Sequence, residues 1–265
     1  MQLDREQAEF YEENGYLILP GVFSEVEVEA MRRESDRITA LETDHSVNFA
    51  GIRTVYRCHE LDGPTGSQIF HAVARLPRLL GAAQQLLHDE ALYVFNSRLY
   101  GKNPLVGSAM MWHQDYGYWR LDRVPTPNLL STMVMLGDVD ILDGCLWVVP
   151  GSHKLETLPH YADTSTPFKQ WPVNQDRMKE ILPTHSAPVP VRGKAGTVTI
   201  FHSQIIHASG HNFSVSPRWQ LYLVYNRTQN APLASNKSRP DFICSQNTKP
   251  LQIVDDSAFA VAAKA

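Results

Sequence analysis

Cysteine is scarce in this chain: Cys58, Cys145 and Cys244 are the only three in 265 residues, and no two of them form a C-x-x-C pair. That excludes a disulfide-stapled scaffold and a cysteine zinc ribbon, and leaves reduced packing thiols as the expectation. Long apolar runs are also missing, since no stretch approaches the roughly 20 residues that cross a bilayer. The opening Met1-Gln2-Leu3-Asp4-Arg5-Glu6 is acidic and polar where a secretory leader is basic and then apolar. No membrane association is expected, and the cytoplasm is the default location. Basic blocks are lacking too: 24 Lys and Arg face 28 Asp and Glu, a net charge of −4, so the electrostatic footprint of a nucleic-acid binder is absent. There is no internal repeat or low-complexity tract.

What the chain does have is enough apolar content, 43%, to bury a sizeable core, and one domain is expected over residues 1–265. The front, about residues 1–90, reads as helical. Asp4 is positioned to cap a helix that stops at Gly15, and Tyr16-Leu17-Ile18-Leu19-Pro20 reads as a short buried strand. Ser24 caps a second helix of roughly residues 25–41, and a third covers roughly residues 76–87. The barrel core, about 91–228, opens at Ala91-Leu92-Tyr93-Val94-Phe95. It closes with three strands around Gly196–His202, Ile205–Gly210 and Arg218–Tyr225. Residues 159–183 are rich in turn formers and read as a lid or surface insertion, and residues 229–265 as a C-terminal extension. The pattern specifies no oligomeric state.

The chemistry is concentrated in His113-Gln114-Asp115 and in His207, ninety-four residues later. On a strand, side chains at i and i+2 leave the same face, so His113 and Asp115 can clamp one ion. With His207 they make the two-histidine, one-carboxylate facial set of non-heme Fe(II) oxygenases, which leaves positions for a bidentate 2-oxo acid and O2. A 2-oxo acid with a second carboxylate needs a planar cation at its far end, and Arg218, eleven residues past His207, is the candidate. The strands around His207, Ser209 and Arg218 are expected to be neighbours facing one cavity. His153, His202 and His211 are read as ordering turns or packing rather than as ligands, because a fourth protein ligand blocks a position that the cosubstrates need.

Trp112-His113-Gln114-Asp115, Gly144-Cys145-Leu146-Trp147-Val148-Val149-Pro150-Gly151-Ser152-His153-Lys154 and His207-Ala208-Ser209-Gly210-His211-Asn212 resemble the phytanoyl-CoA dioxygenase family, over about Glu13 to Arg227. The resemblance implies a mainly β fold with flanking helices, a double-stranded β-helix of the jelly-roll, cupin-like kind. It also implies Fe(II), 2-oxoglutarate and O2, with His113, Asp115 and His207 as ligands and Arg218 with Ser209 on the distal carboxylate. Local similarity to the ectoine hydroxylases of that family implies Tyr100, Met110 and Gln220 near 2-oxoglutarate, and Asn96, Trp119, Phe201 and Tyr222 near the substrate. Tyr100 and the run Arg120-Leu121-Asp122-Arg123 depart from that subgroup, so ectoine itself does not carry over. Halogenases of this kind replace the carboxylate ligand by a small residue, and Asp115 therefore argues for oxygen chemistry.

Tyr116, Tyr118 and Trp119, with Asn96 and Arg98 upstream, suggest a small polar or zwitterionic substrate, amino-acid-like or a secondary metabolite, held by stacking and hydrogen bonds. Lys102 stands at a strand end, either solvated or within reach of an anionic substrate or cosubstrate. The expected reaction is hydroxylation of an unactivated C–H bond with release of succinate and CO2, with desaturation, cyclisation and epoxidation as alternative outcomes. A zinc hydrolase or a non-catalytic binding barrel can share the three ligands, but neither explains Arg218 and Ser209.

Overall fold

The computed structural model describes residues 2–165, 169–233 and 239–264. The chain begins with α1 (Arg5–Asn14), β1 (Tyr16–Leu19) and α2 (Glu25–Thr39). Both helices start with a capping box, Asp4 with Gln7 and Ser24 with Glu27, and each such cap is worth about 1 kcal/mol. Gly15 ends α1 at φ 77°, and a Cβ there would lie 2.3 Å from the His153 ring, so two constraints select glycine.

The front is less helical than the sequence suggests. β2 (Ser46–Phe49) and β3 (Ile52–Tyr56) form a hairpin, and a further helix, α3 (Gln68–Val73), precedes the expected third one. That third helix enters through a π turn at Pro77–Gly81 before α4 (Ala82–Leu87), because Pro77 can open a helix but cannot continue one. Then follow β4 (Leu92–Lys102), β5 (Met110–His113), α5 (Asp115–Trp119), β6 (Leu129–Met135), β7 (Leu146–Val148) and α6 (Gln175–Ile181). The remainder is β8 (Val189–Val191), β9 (Val198–His202), β10 (His207–Ser209), β11 (Arg218–Arg227) and α7 (Ser257–Ala262).

Two antiparallel sheets face each other. The larger has the order β1-β9-β6-β11-β4-β3-β2 and the smaller β5-β10-β7-β8, the expected jelly roll with flanking helices. One difference bears on the site. β10 and β11 lie in different sheets rather than side by side, so His207 and Arg218 stand on opposite sheets.

Side-chain alternation on the large sheet is inverted relative to a simple core. Leu221, Leu223 and Tyr225 of β11 and Leu99 of β4 join the apolar cluster under the helices, while Tyr222 joins the cluster between the sheets with Met133, Phe201, Leu146 and Val148. The same alternation directs Arg218 and Gln220 inward, paired in register with Lys102 and Tyr100. Polar side chains facing a barrel interior mark a site rather than a packing layer. Residues 159–183, expected as an insertion, contribute Val173, Met178 and Ile181 to an apolar cluster with Val149, Leu158 and Ile206; within that stretch, residues 166–168 lie outside the described ones. Cys58, Cys145 and Cys244 are free and buried. Among the described residues no helix is long and apolar enough to cross a membrane.

Candidate active site

β5 and β10 pair so that His113 and His207 are direct cross-strand partners, with ring centroids 4.1 Å apart. Asp115 is not on the strand, as its spacing suggested, but is the first residue of α5. The chain turns at Gln114, and the carboxylate still reaches both rings, Oδ1 lying 3.8 Å from each Nε2. Candidate ligand atoms of the three residues all lie within 4.8 Å of one another, and all three residues are buried.

The surroundings fix the rings. His113 Nδ1 donates to the Met111 carbonyl at 2.7 Å and His207 Nδ1 to the Ile205 carbonyl at 2.9 Å, which selects the tautomer with a free Nε2 lone pair. Ser131 Oγ donates to Asp115 Oδ2 at 3.3 Å. Burial opposes ionisation of Asp115, but His207, Arg98 and His113 outweigh it and hold the carboxyl below its usual range. Burial and the neighbouring His207 push His113 down to about 3, so its imidazole is neutral, the form that ligates metal. Gln114 joins the parts: its Oε1 accepts from Leu158 N at 2.8 Å and its Nε2 donates to the Gln204 carbonyl at 2.9 Å.

A cavity of about 150 Å³ opens beside the triad. Behind the Ser209 and Tyr100 side of its wall lie two buried cations. Lys102 is fully buried, and its Nζ donates to Ser209 Oγ at 2.9 Å and to the Gly210 carbonyl. Arg218 is its register partner and donates from Nη1 to the Gly144 carbonyl. Gly144 sits at φ 67°, with its Cα packed so closely on the end of β10 that a Cβ would meet the Gly210 oxygen at 2.5 Å. Burial, and then the Arg218 guanidinium, hold the Lys102 ammonium well below its ordinary pKa. Arg218 Nε, Gln220 Nε2 and the Tyr100 hydroxyl are buried here without hydrogen-bond partners among the described residues. Such a group of orphaned donors fits a carboxylate. The triad and this side together match what Fe(II) and 2-oxoglutarate require: three hard and borderline donors on one face, and a cationic anchor beyond them.

The substrate-side expectations divide. Trp119, Phe201 and Tyr222 line the cavity, with Met110, Tyr100 and Ser209 toward the cationic side. Asn96, Tyr116, Lys102, Arg218 and Gln220 do not line it. Asn96 Nδ2 donates to the Ile243 carbonyl, the Tyr116 hydroxyl donates to the Val124 and Pro125 carbonyls, and Lys102 belongs with Arg218 and Ser209. The polar ends of Asn96, Tyr116 and Lys102 are therefore committed to backbone or to the cationic side rather than to a substrate. Thr54, Tyr56 and Arg239 also line the cavity. The first two come from β3, legible as a strand from Ile52-Arg53-Thr54-Val55-Tyr56, whereas nothing in the sequence marks Arg239. Arg98 lies 4.6 Å over the Tyr222 ring, with Tyr118 also in the wall.

A double-stranded β-helix holding two histidines and a carboxylate at one end of its cavity has the fold and donor set of a non-heme iron oxygenase. The chain belongs to the phytanoyl-CoA dioxygenase family, whose model matches residues 11–219. It is 31% identical over 261 residues to the ectoine dioxygenase of Bordetella bronchiseptica, covering 92% of this chain and 83% of that one. It is 30% identical over 262 residues to the L-proline trans-4-hydroxylase of Streptomyces griseoviridis, covering 92% and 94%. Among solved structures, EctD from S. alaskensis with bound Fe superposes with a TM-score of 0.80 at 26% identity, covering 96% of this chain and 88% of that one.

Proposed function

We propose that the protein is an Fe(II)- and 2-oxoglutarate-dependent dioxygenase that hydroxylates an unactivated C–H bond of a small, amino-acid-like molecule. The observation that carries this reading is the buried His113, Asp115, His207 cluster in the cavity wall, together with a buried Lys102–Arg218 pair that joins the same wall through Ser209 and meets no carboxylate among the described residues. Bound iron and 2-oxoglutarate supply the oxidising power, with O2 consumed and succinate and CO2 released.

The chain's own residues place the reactants. His113, Asp115 and His207 hold the metal on one face. Arg218, Lys102, Ser209, Tyr100 and Gln220 take the distal carboxylate, and Met110 packs beside the cosubstrate. Phe201, Trp119 and Tyr222 form an apolar wall that keeps water and competing side chains from the reacting carbon. Arg98 forms no ion pair with a carboxylate among the described residues and is the group suited to a substrate carboxylate. Ectoine and L-proline, named for two relatives, are small molecules of the class proposed here. A nucleic-acid partner is not part of this reading, and neither is a membrane; the protein works in the cytoplasm.

The test is succinate release from 2-oxoglutarate with Fe(II) and O2, screened over amino acids and cyclic amino-acid derivatives. Substrate-dependent succinate with one oxygen atom added to the product supports the reading. Hydrolysis of a test ester or amide without succinate refutes it.

A further inference from the structure

The family match ends at residue 219, yet part of the cavity wall comes from beyond it. Arg239 lines the cavity and is gripped by Asp122, with Nε donating to Oδ1 at 2.9 Å and Nη2 donating to Oδ2. Asp122 is buried in the turn that directly follows Trp119, so its carboxylate is fixed to the aromatic wall. The segment carrying Arg239 is tied down as well. The Ile243 carbonyl accepts from Asn96, Ser245 N donates to the Phe95 carbonyl at 2.8 Å, and the Phe242 ring packs 5.8 Å from that of Tyr56.

Using Nε and Nη2 on Asp122 leaves the Nη1 edge of Arg239 with no hydrogen-bond partner among the described residues. The guanidinium lies 5.8 Å from the Tyr118 ring, and Arg98 also lies within electrostatic reach of that tyrosine's hydroxyl. Two planar cations therefore serve one chamber, and among the described residues the one carboxylate in its wall is Asp115. They are not equivalent. Asp122 neutralises Arg239 through two hydrogen bonds, whereas Arg98 makes no ion pair within hydrogen-bonding distance of a carboxylate among the described residues.

We propose that Arg239 is a specificity-determining residue whose free Nη1 edge receives a second oxygen acceptor on the substrate, distinct from the carboxylate taken by Arg98. This rests on the dioxygenase reading and narrows its substrate class. Because Asp122 already balances its charge, Arg239 favours a neutral carbonyl, as in a carboxamide or ureido group, over a second carboxylate. A site built around a hydrogen-bond donor rejects the apolar isostere, since that ligand leaves the donor unpaired.

The experiment uses the full chain with Fe(II) and 2-oxoglutarate in the absence of O2, and follows the visible absorption of the chelate as amino acids are added. The probes are isosteric sets: L-asparagine, L-aspartate and L-leucine, then L-glutamine, L-glutamate and L-homoleucine. The expected result is binding of the amide at least about tenfold tighter than its apolar isostere, with that ratio falling to about one in Arg239→Met. Arg239→Met leaves the buried Asp122 carboxylate unpaired, so the double variant Asp122→Asn/Arg239→Met is made in parallel and is expected to lose the ratio equally. A purely structural latch would lower the melting temperature and leave the ratio intact. An unchanged ratio in both variants, or a wild type that binds no probe or shows no preference, overturns the proposal while the chelate absorption still stands. Absence of that absorption in wild type overturns the dioxygenase reading and this inference with it.

Discussion

Replacing Arg218 with methionine is expected to weaken 2-oxoglutarate binding severely without weakening the ligand-free fold. Arg218 is 3% exposed, stands in register beside the fully buried Lys102, and pairs with no carboxylate among the described residues. Its Nε has no hydrogen-bond partner there. On the present reading the distal carboxylate of 2-oxoglutarate takes two charge-assisted hydrogen bonds from this guanidinium, each worth roughly 1.5–3 kcal/mol. Losing about 3–5 kcal/mol raises the KM for 2-oxoglutarate by about 150- to 4000-fold. The ligand-free protein loses a buried cation that repels Lys102, and methionine fills a similar volume, so its melting temperature should hold or rise. Succinate release against 2-oxoglutarate concentration gives the first quantity and thermal unfolding without ligand the second. A KM within about threefold of wild type, or ligand-free unfolding many degrees lower, refutes the reasoning. The second outcome would mean that Arg218 is a structural cation.

Gly144→Ala should raise the same KM at a smaller cost, because the new Cβ meets the Gly210 and His211 carbonyls and moves the Gly144 oxygen that orients Arg218; 2-oxoglutarate titration reads it. Arg98→Met should abolish tight substrate binding yet leave slow, substrate-independent succinate formation, so that product and succinate no longer match in amount. Stability should also fall in mild acid. Burial pushes His59 and His202 from 6.5 down to about 4 in the folded protein, so between those values the unfolded chain binds protons that the native one refuses. Each site then contributes stability that is present above pH ~6.5 and lost as pH falls toward 4, at most roughly 3 kcal/mol. Urea unfolding at a series of pH values measures the slope, and His202→Gln should reduce it.

The His113, Asp115, His207 cluster and the jelly roll were legible because each is written as a local pattern: a spaced pair, a distal histidine, and strands bounded by glycine and proline. Less legible was anything set by which strands become neighbours. Nothing local says that β10 and β11 join opposite sheets, or that Asp115 leaves the strand to start a helix while keeping its aim on the ion. Asn96 and Tyr116 were reasonable substrate contacts by position, but their polar ends are used up on the backbone carbonyls of Ile243, Val124 and Pro125. Lys102 read either as a solvated strand end or as a reach toward an anionic substrate or cosubstrate, and only its pairing with Arg218 places it in the barrel interior. Arg239 enters the cavity from 126 residues past His113 through contacts between segments far apart in sequence.

The most direct measurement of the central claim is the visible absorption of metal-free protein after anaerobic addition of Fe(II) and 2-oxoglutarate, in wild type, His207→Ala and Arg218→Ala. The account predicts a weak charge-transfer band in wild type, its loss in His207→Ala, and in Arg218→Ala a band that reappears only at much higher 2-oxoglutarate. A folded wild type that gives no band, or a band indifferent to His207, contradicts it.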